Sequence, residues 1–477
     1  MTLLIASVHG EVPEQVHGAD LLEIRIDCFT PEEAIKQLPV LLKASPIPTI
    51  VTCRSTGEGG TFEGDEEERV AMYRAALDCE TPPRYLDVEY EVLSRHPLLL
   101  DSLASDSTGI ILSWHDVTGR PKNLLQQAAQ MQDVSGVDIV KMVWRARSLR
   151  DNLEAFSLLQ SRQQPMIAMC MGEYGLLSRV LAPKFGGFAV FASVEGMEET
   201  APGQPTTKEL RSLYHFDAIT KETKLFGVIG NNVQHSASPT FHNAAFEAAG
   251  ENAVYVPLLV PEGWEHLKAT VLSLRCDQEL HFSGASVTIP HKENALRLVG
   301  GVDAQSTKAK AINTITIEGD QSIGNNTDID ALALLAPHAK RVLLLGGGGV
   351  ARAAIVAMQS LNATVFVATR NKEQAKNLAA EFSCEVANEK LAAIDTLINC
   401  TPVGMEGGND PQGNPADALA PSLQFTSSLL VIDTVYKPLI TPLIQSAIDA
   451  GCSTVTGDQL FRLQATAQQK IWHTHLL

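Results

Sequence analysis

The sequence predicts an α/β protein, with a (β/α)8 barrel in its first half and open α/β sheets with a glycine-rich turn in its second. Three observations predict it. First, short apolar runs recur between helix-like stretches over about 200 residues, the lower end of what such a barrel needs. They are Leu3–Val8, Leu21–Ile26, Thr49–Cys53, Tyr85–Val88, Gly109–Ser113, Val137–Val143, Met166–Cys170 and Phe188–Ala192. A doubly wound sheet is the alternative, and even spacing favours closure. Second, Val342-Leu343-Leu344-Leu345 runs into Gly346-Gly347-Gly348-Gly349 and then a helical pattern from Val350 through Arg352. That reads as a strand, a tight turn and a helix N-terminus. Third, 477 residues exceed one core, so two or three domains are expected.

Composition narrows the class. The chain is 45% hydrophobic and 19% charged, as in ordinary globular proteins, and its net charge of -18 argues against nucleic acid or an anionic membrane as partner. Its eight cysteines are scattered with no Cys-x-x-Cys, which suits free thiols of a reducing cytoplasm rather than a disulfide frame or a zinc site. The start from Met1 to His9 has no basic flank and too short an apolar run for a signal peptide. No apolar stretch approaches the roughly 18 residues that cross a membrane. A cytoplasmic protein that takes small molecules and needs no metal is expected.

A barrel carries its chemistry at the C-terminal ends of its strands, and the unusual polar residues fall there. Glu23, Arg25 and Asp27 alternate along the second strand, and Arg54 ends the third, before Glu58-Gly59-Gly60. Asp87 and Glu89 lie on the fourth, Trp114-His115-Asp116 closes the fifth, and Lys141 lies inside the apolar sixth. Arg179 follows the seventh, and Gln204 follows the eighth. Burying a charged lysine is costly, which favours the neutral amine, the nucleophile that forms a Schiff base with a ketone. The other reading of Lys141 is a head that snorkels out or pairs with Glu23 or Glu89. His115 is either a proton-transfer group or a hydrogen-bonded core histidine. Arg25, Arg54 and Arg179 either clamp a carboxylate and hydroxyls or serve in structural ion pairs.

The motifs Glu23-Ile24-Arg25-Ile26-Asp27, Thr52-Cys53-Arg54, Glu58-Gly59-Gly60, Ser113-Trp114-His115-Asp116, Val140-Lys141, Ser178-Arg179 and Ala201-Pro202-Gly203-Gln204 occur in order from residue 1 to about 208. They resemble type I 3-dehydroquinate dehydratase. The resemblance implies that Lys141 forms an imine with the substrate ketone and that His115, oriented by Glu58, shuttles protons. It implies that Arg179 holds the carboxylate, while Glu23, Arg25, Arg54 and Gln204 read hydroxyls or position Lys141. Thr200 stands in the lid loop where the family has serine. A polar stretch, 209–222, is the expected linker.

The second half begins with the apolar run Leu225-Phe226-Gly227-Val228-Ile229-Gly230, followed by Ser236 and Ser238 ahead of a helix. Two alternate hydroxyls there suit a carboxylate, whereas an ordinary helix cap accounts for one of them. Thr288-Ile289-Pro290-His291-Lys292, Asn313 and Asn326-Thr327-Asp328 follow. Asp328 reads as a helix N-cap or as the partner of Lys292 in moving a proton during hydride transfer. The glycine turn fits Gly346-x-Gly348-x-x-Ala351, a dinucleotide fingerprint, and the next strand ends at Thr369-Arg370-Asn371. A cation at Arg370, where an NAD site has an acid, suits a ribose 2′-phosphate and hence NADP(H); a solvated surface arginine is the other reading.

This ordered set resembles shikimate dehydrogenase over about residues 223 to 477. The resemblance implies a two-lobed unit: a substrate lobe at 223–336 completed by about 456–477, and a Rossmann lobe at 337–455. It assigns the substrate to Ser236, Ser238, Thr288, Asn313, Tyr436 and Gln464, with Lys292 and Asp328 as the catalytic pair. NADP falls to Gly346, Gly348, Gly349, Val350, Ala351, Thr369, Arg370 and Asn371, with Thr401, Met405 and Gly457 beside it. Ser286 stands where most members have asparagine, and Ala331 where glycine is common. Together the resemblances imply a fused enzyme that dehydrates 3-dehydroquinate and reduces the product. A catabolic NAD-linked quinate or shikimate dehydrogenase and a non-catalytic ligand sensor are the rival readings.

Overall fold

The computed structural model describes residues 1–96, 98–197, 203–388 and 394–474. Thr200, Ala201 and Pro202 of the expected lid loop lie outside them. The chain forms two compact units, Met1–Leu225 with Phe246–Leu259 and Ser273–His281, and the remainder.

Residues 1–192 supply eight strands to the first unit: β1 (Leu3–His9), β2 (Leu21–Arg25), β3 (Thr49–Thr52), β4 (Tyr85–Glu89), β5 (Gly109–Asp116), β6 (Ile139–Arg145), β7 (Met166–Met171) and β8 (Ala189–Ala192). They form one sheet in the order β7-β6-β5-β4-β3-β2-β1-β8, and its pairings are parallel. At the seam, the Phe188 N–H just before β8 donates to the Met166 carbonyl of β7 at 2.8 Å, which brings the two edges together. The expected alternation fails once. Between β1 and β2 there is no helix, because Gly10 and Gly18 take left-handed φ of 63° and 75° and Pro13 has no N–H to give. Elsewhere local chemistry sets the helices. Pro31–Ala44 starts at a Thr30/Glu33 capping box with Pro31 at its first turn, and buries Ala34, Leu38, Leu41 and Leu42 along one face.

Strand period divides the barrel interior into layers. Ile5, Leu21, Ile50, Ile111, Ile139 and Ile167 form an apolar floor. Two residues further along, Ser7, Glu23, Thr52, Asp87, Ser113 and Lys141 make a polar layer, with Ser7 beside Glu23 and Ser113 beside Lys141 in the register.

A second sheet holds β9 (Lys224–Gly230), β10 (Ala253–Leu259), β11 (Phe282–Val287), β12 (Gly301–Val302), β13 (Thr314–Glu318) and β14 (Gln321–Asn325), in the order β10-β9-β11-β13-β14-β12. It is mixed: β13 runs antiparallel to β11 and β14, and β12 parallel to β14. The third sheet holds β15 (Arg341–Leu345), β16 (Thr364–Ala368), β17 (Glu385–Val386), β18 (Thr396–Asn399), β19 (Leu430–Asp433) and β20 (Ser453–Val455). Its order β17-β16-β15-β18-β19-β20 is parallel throughout, and it reverses direction of growth at β15. In such a sheet a ligand sits outside the strand ends at that reversal. The helix Gly457–Thr474 then returns to the second sheet, where Gln468 Nε2 donates to the Asn313 carbonyl and Trp472 Nε1 to that of Ile315.

Candidate active sites

Lys141 is not a lone amine. Its Nζ donates to Asp87 Oδ2 at 2.9 Å, lies 3.6 Å from Glu23 Oε1, and sits 3.8 Å from the centre of the Phe191 ring. Each carboxylate is held from behind. Asp87 Oδ1 accepts from Arg54 Nη2 at 2.7 Å and Ser113 Oγ at 2.5 Å. The Glu23 oxygens accept from Ser7 and Thr52. Burial works against the Asp87 charge, but Arg54, Lys141 and Ser113 outweigh it and hold this carboxyl below the usual range. The sequence names Glu23 and Glu89 as possible partners of Lys141. The structure confirms Glu23 and replaces Glu89, whose oxygens instead take Arg54, Arg69 and the Ser55 N–H.

His115 Nδ1 lies 2.8 Å from Glu58 Oε2, which also receives Arg54 Nη1 at 3.2 Å. Burial, then Arg54, Lys141 and Arg25, push the imidazole well below its ordinary value, so the ring is neutral. Burial raises the Glu58 carboxyl to about 8 against the pull of Arg54. Below that pH one proton lies between Glu58 and Nδ1. Above it the carboxylate accepts from Nδ1–H and leaves Nε2 with a lone pair.

The three arginines separate cleanly. Arg25 is bound by Asp27 through two 2.7 Å hydrogen bonds, and Arg54 is surrounded by Glu58, Asp87 and Glu89. Both are therefore ion-paired in this structure. Arg179, 3% exposed, makes no ion pair among the described residues; its Nη1 points at Met169 Sδ, 3.0 Å away. Burial without an anion lowers this guanidinium to about 10. Gln204 is buried after β8. A cavity of about 510 Å³ lies at the other end, where Thr2, Pro165 and Phe188 stand ahead of the strands, away from these groups.

In the second unit Lys292 Nζ donates to Asp328 Oδ2 at 2.6 Å, and both side chains are buried. The helix cap is Asn326, whose side chain accepts from the Asp328 N–H; the Asp328 carboxylate stays available to Lys292. Asn313 and Gln464 meet at 3.4 Å and both meet the Thr327 hydroxyl. Ser236 Oγ donates to Ser238 Oγ at 3.1 Å. Tyr436 stacks on Phe461 at 5.4 Å. Ser286, in the asparagine position, donates to Gln468 Oε1 at 2.8 Å.

With this geometry in view, comparison with known proteins is decisive. The type I 3-dehydroquinase family matches residues 6–221, and the shikimate dehydrogenase substrate-binding domain matches 228–315. The bifunctional 3-dehydroquinate dehydratase/shikimate dehydrogenase of Arabidopsis thaliana, a chloroplastic protein, is 35% identical over 95% of this chain and 78% of its own length. The chain belongs to that bifunctional family. The shikimate biosynthesis protein AroDE of Chlamydia pneumoniae is 25% identical across 100% of this chain and 96% of its own. The shikimate 5-dehydrogenase of Thermus thermophilus, solved with NADP(H) and shikimate, is 28% identical over 52% of this chain and 93% of its own, with a TM-score of 0.46.

The dehydrogenase half of a family member must seat a dinucleotide, and the glycine turn has the shape for one. Gly346 has φ 111°, and a Cβ there would press on the Cys400 backbone at 3.0 Å. Around Gly348 there is nothing within 4 Å of a Cβ position, which leaves room for a pyrophosphate. The helix Gly349–Ser360 follows with no side-chain cap, so the first N–H groups, at Gly349, Val350 and Ala351, face outward for an anion. A Cβ at Gly349 would lie 2.7 Å from Lys292 Cβ, which puts the glycine turn against Lys292. Arg370 is exposed just past β16 with no ion pair among the described residues, between Thr369, whose hydroxyl donates to the Asn371 carbonyl, and Asn371. Thr401 is tied to Asn399 at the end of β18, Met405 lies in the following loop, and Gly457 starts the last helix against Val435. Among the described residues no group of three or more His, Cys, Asp or Glu is arranged to hold a metal.

Sequence reasoning placed Asp87 on the fourth strand and Ser113 and Thr327 within motifs but gave them no role, and it overlooked Gln468. The signal for the first two was present: Asp87 and Ser113 fall in the inward phase of their strands, one step below Glu89 and His115.

Proposed function

We propose that the barrel dehydrates 3-dehydroquinate to 3-dehydroshikimate and that the second half reduces this product to shikimate with NADPH. The observation that carries the reading is a buried amine, Lys141, and at the same end of one barrel a buried guanidinium, Arg179, that has no anion among the described residues. A substrate carboxylate on Arg179 supplies the missing anion and brings the ring ketone to Lys141. The amine attacks that ketone and water leaves to give an iminium, an electron sink that acidifies the adjacent C–H. His115, neutral and held by Glu58, takes that proton through Nε2 and returns it to the departing hydroxyl.

In the second half Ser236 and Ser238 offer hydroxyls to the carboxylate, and Thr288, Asn313, Tyr436 and Gln464 border the ring. Bound NADPH would supply the hydride. Lys292 donates a proton to the carbonyl oxygen as it gains charge, and Asp328 fixes the lysine and balances its charge. Arg370 would receive the 2′-phosphate, which favours NADP over NAD. We divide the chain accordingly at 1–208, a linker at 209–222, a substrate lobe at 223–336 completed by about 456–477, and a nucleotide lobe at 337–455. Thr200 is assigned to the dehydratase lid. No helix among the described residues is long and apolar enough to cross a membrane, and the eight unpaired cysteines suit the reducing cytoplasm.

One cuvette tests the whole. Purified chain, 3-dehydroquinate and NADPH should show loss of NADPH absorbance with shikimate as product. Oxidation only on adding 3-dehydroshikimate removes the dehydratase assignment; none with either substrate removes the reductase assignment.

A further inference from the structure

Lys141 must shed a proton before its nitrogen can attack a carbonyl. Two carboxylates face it, and the structure distinguishes them. Glu23 is 3.6 Å away, with one oxygen committed to Ser7 and the other to Thr52. Asp87 is 2.9 Å away through Oδ2, an oxygen whose described partner is Lys141 itself, while Oδ1 carries Arg54 and Ser113. Asp87 is thus clamped at one oxygen and directed at the amine with the other.

We propose that Asp87 is the proton acceptor and donor of imine formation. This rests on the reading of Lys141 as the imine-forming residue. The ammonium passes a proton to Asp87 Oδ2, giving a neutral amine and a carboxylic acid. The nitrogen lone pair forms the C–N bond, and after proton shift from nitrogen to oxygen the product is a neutral carbinolamine. Asp87 then protonates the carbinolamine hydroxyl, the C–O bond breaks, and water and the iminium leave Asp87 a carboxylate again. The sum is ammonium plus ketone to iminium plus water, with no further reactant. The clamp explains why the acceptor is ionised when needed. Arg54 and Ser113 stabilise the carboxylate in the resting site, and the proton crosses as the nitrogen engages the ketone. Other titratable or charged groups near this pair are Glu23 on β2, Arg54 beyond β3, Glu58 beyond it and His115 on β5. None of the last three is hydrogen-bonded to Nζ among the described contacts.

The test uses the intact chain, rapid mixing with 3-dehydroquinate, borohydride quenching, and mass measurement of the Lys141 adduct. In the native chain the adduct should form at a rate independent of pH from 6 to 8. Asp87→Asn should slow its formation by roughly 10²-fold, the lower range for general acid–base catalysis. The residual rate should rise about tenfold per pH unit as solvent base replaces the lost acceptor. KM should change little, since Arg179 still binds substrate. Equal rates in the two chains, or a slow variant whose rate is flat with pH, would overturn the proposal, the second outcome indicating a purely structural loss. Because the variant leaves two buried cations less compensated, the native profile is an independent test: a tenfold rise per unit there excludes an internal acceptor. Absence of any native adduct would overturn the imine itself, a result distinct from a native adduct formed without help from Asp87.

Discussion

Each half of the chain sets a buried lysine against an aspartate, and the two pairs differ in what stands behind the carboxylate. Asp87 is backed by Arg54 and Ser113 and shares its lysine with Glu23. Asp328 stands in the first turn of a helix capped by Asn326, with Lys292 as its ion-pair partner. The barrel pair is embedded in a lattice of charges, which lets a proton leave the amine without leaving the site. The second pair is a single short contact of 2.6 Å, and in the proposed reading it faces an oxygen that gains charge. In the proposed reading the same two residue types therefore serve a nucleophile in one place and an acid in the other, according to their surroundings.

The sharpest test is to remove one lysine at a time. Lys141→Ala should reduce dehydratase turnover by roughly 10⁴-fold or more and abolish borohydride trapping, with reductase turnover unchanged. Lys292→Ala should do the converse, lowering 3-dehydroshikimate reduction by about 10³-fold and sparing the dehydratase. Loss of both activities in either variant would break the comparison by coupling the pairs.

The lattice around Lys141 also titrates. Glu58 has its carboxyl raised to about 8, so its ionised form is scarce below that pH and complete above it. The base form of His115 needs the ionised form. Dehydratase kcat/KM should therefore climb about tenfold per unit toward pH 8 and level off, and Glu58→Gln should remove that limb. A flat native profile would show that Nε2 is free whatever the state of Glu58. At the second site, Arg370→Ala should raise the KM for NADPH by about 10- to 100-fold, the worth of charge-assisted hydrogen bonds, while leaving the KM for shikimate unchanged. An unchanged NADPH KM would make Arg370 a solvated surface residue.

Much of this was legible in the sequence because it is periodic. The barrel strands appear as apolar runs, and the inward phase of each carries Glu23, Asp87, His115 or Lys141 to one end. The glycine turn is legible because its backbone tolerates little else at Gly346. The missing first helix was not, since an apolar pattern does not reveal a loop built on Gly10, Pro13 and Gly18. Nor was the partner of Lys141. Choosing Asp87 over Glu89 requires the register across β4, β5 and β6, in which Asp87 stands beside Ile111 and Ser113 beside Lys141. The three arginines look alike in sequence; only packing shows that Arg25 and Arg54 have anions and that Arg179 has none among the described residues. For Asp328 the sequence left the cap reading open, and the structure gives that place to Asn326.

The helix Gly457–Thr474 closes the substrate lobe by binding strands made long before it: Trp472 reaches a carbonyl 157 positions earlier in the chain. On a ribosome that interval lasts roughly 10–30 s at about 5–20 residues per second. The barrel has all its strands by residue 192, so they emerge long before that helix. The lobe that takes its product must wait, with Asn313 and Ser286 lacking their glutamine partners until the last helix emerges. A nascent chain thus passes through a period in which the strands of its first catalyst have all been made and its second is incomplete, and translation stalled in the nucleotide sheet would leave the barrel strands with no fused enzyme to consume 3-dehydroshikimate.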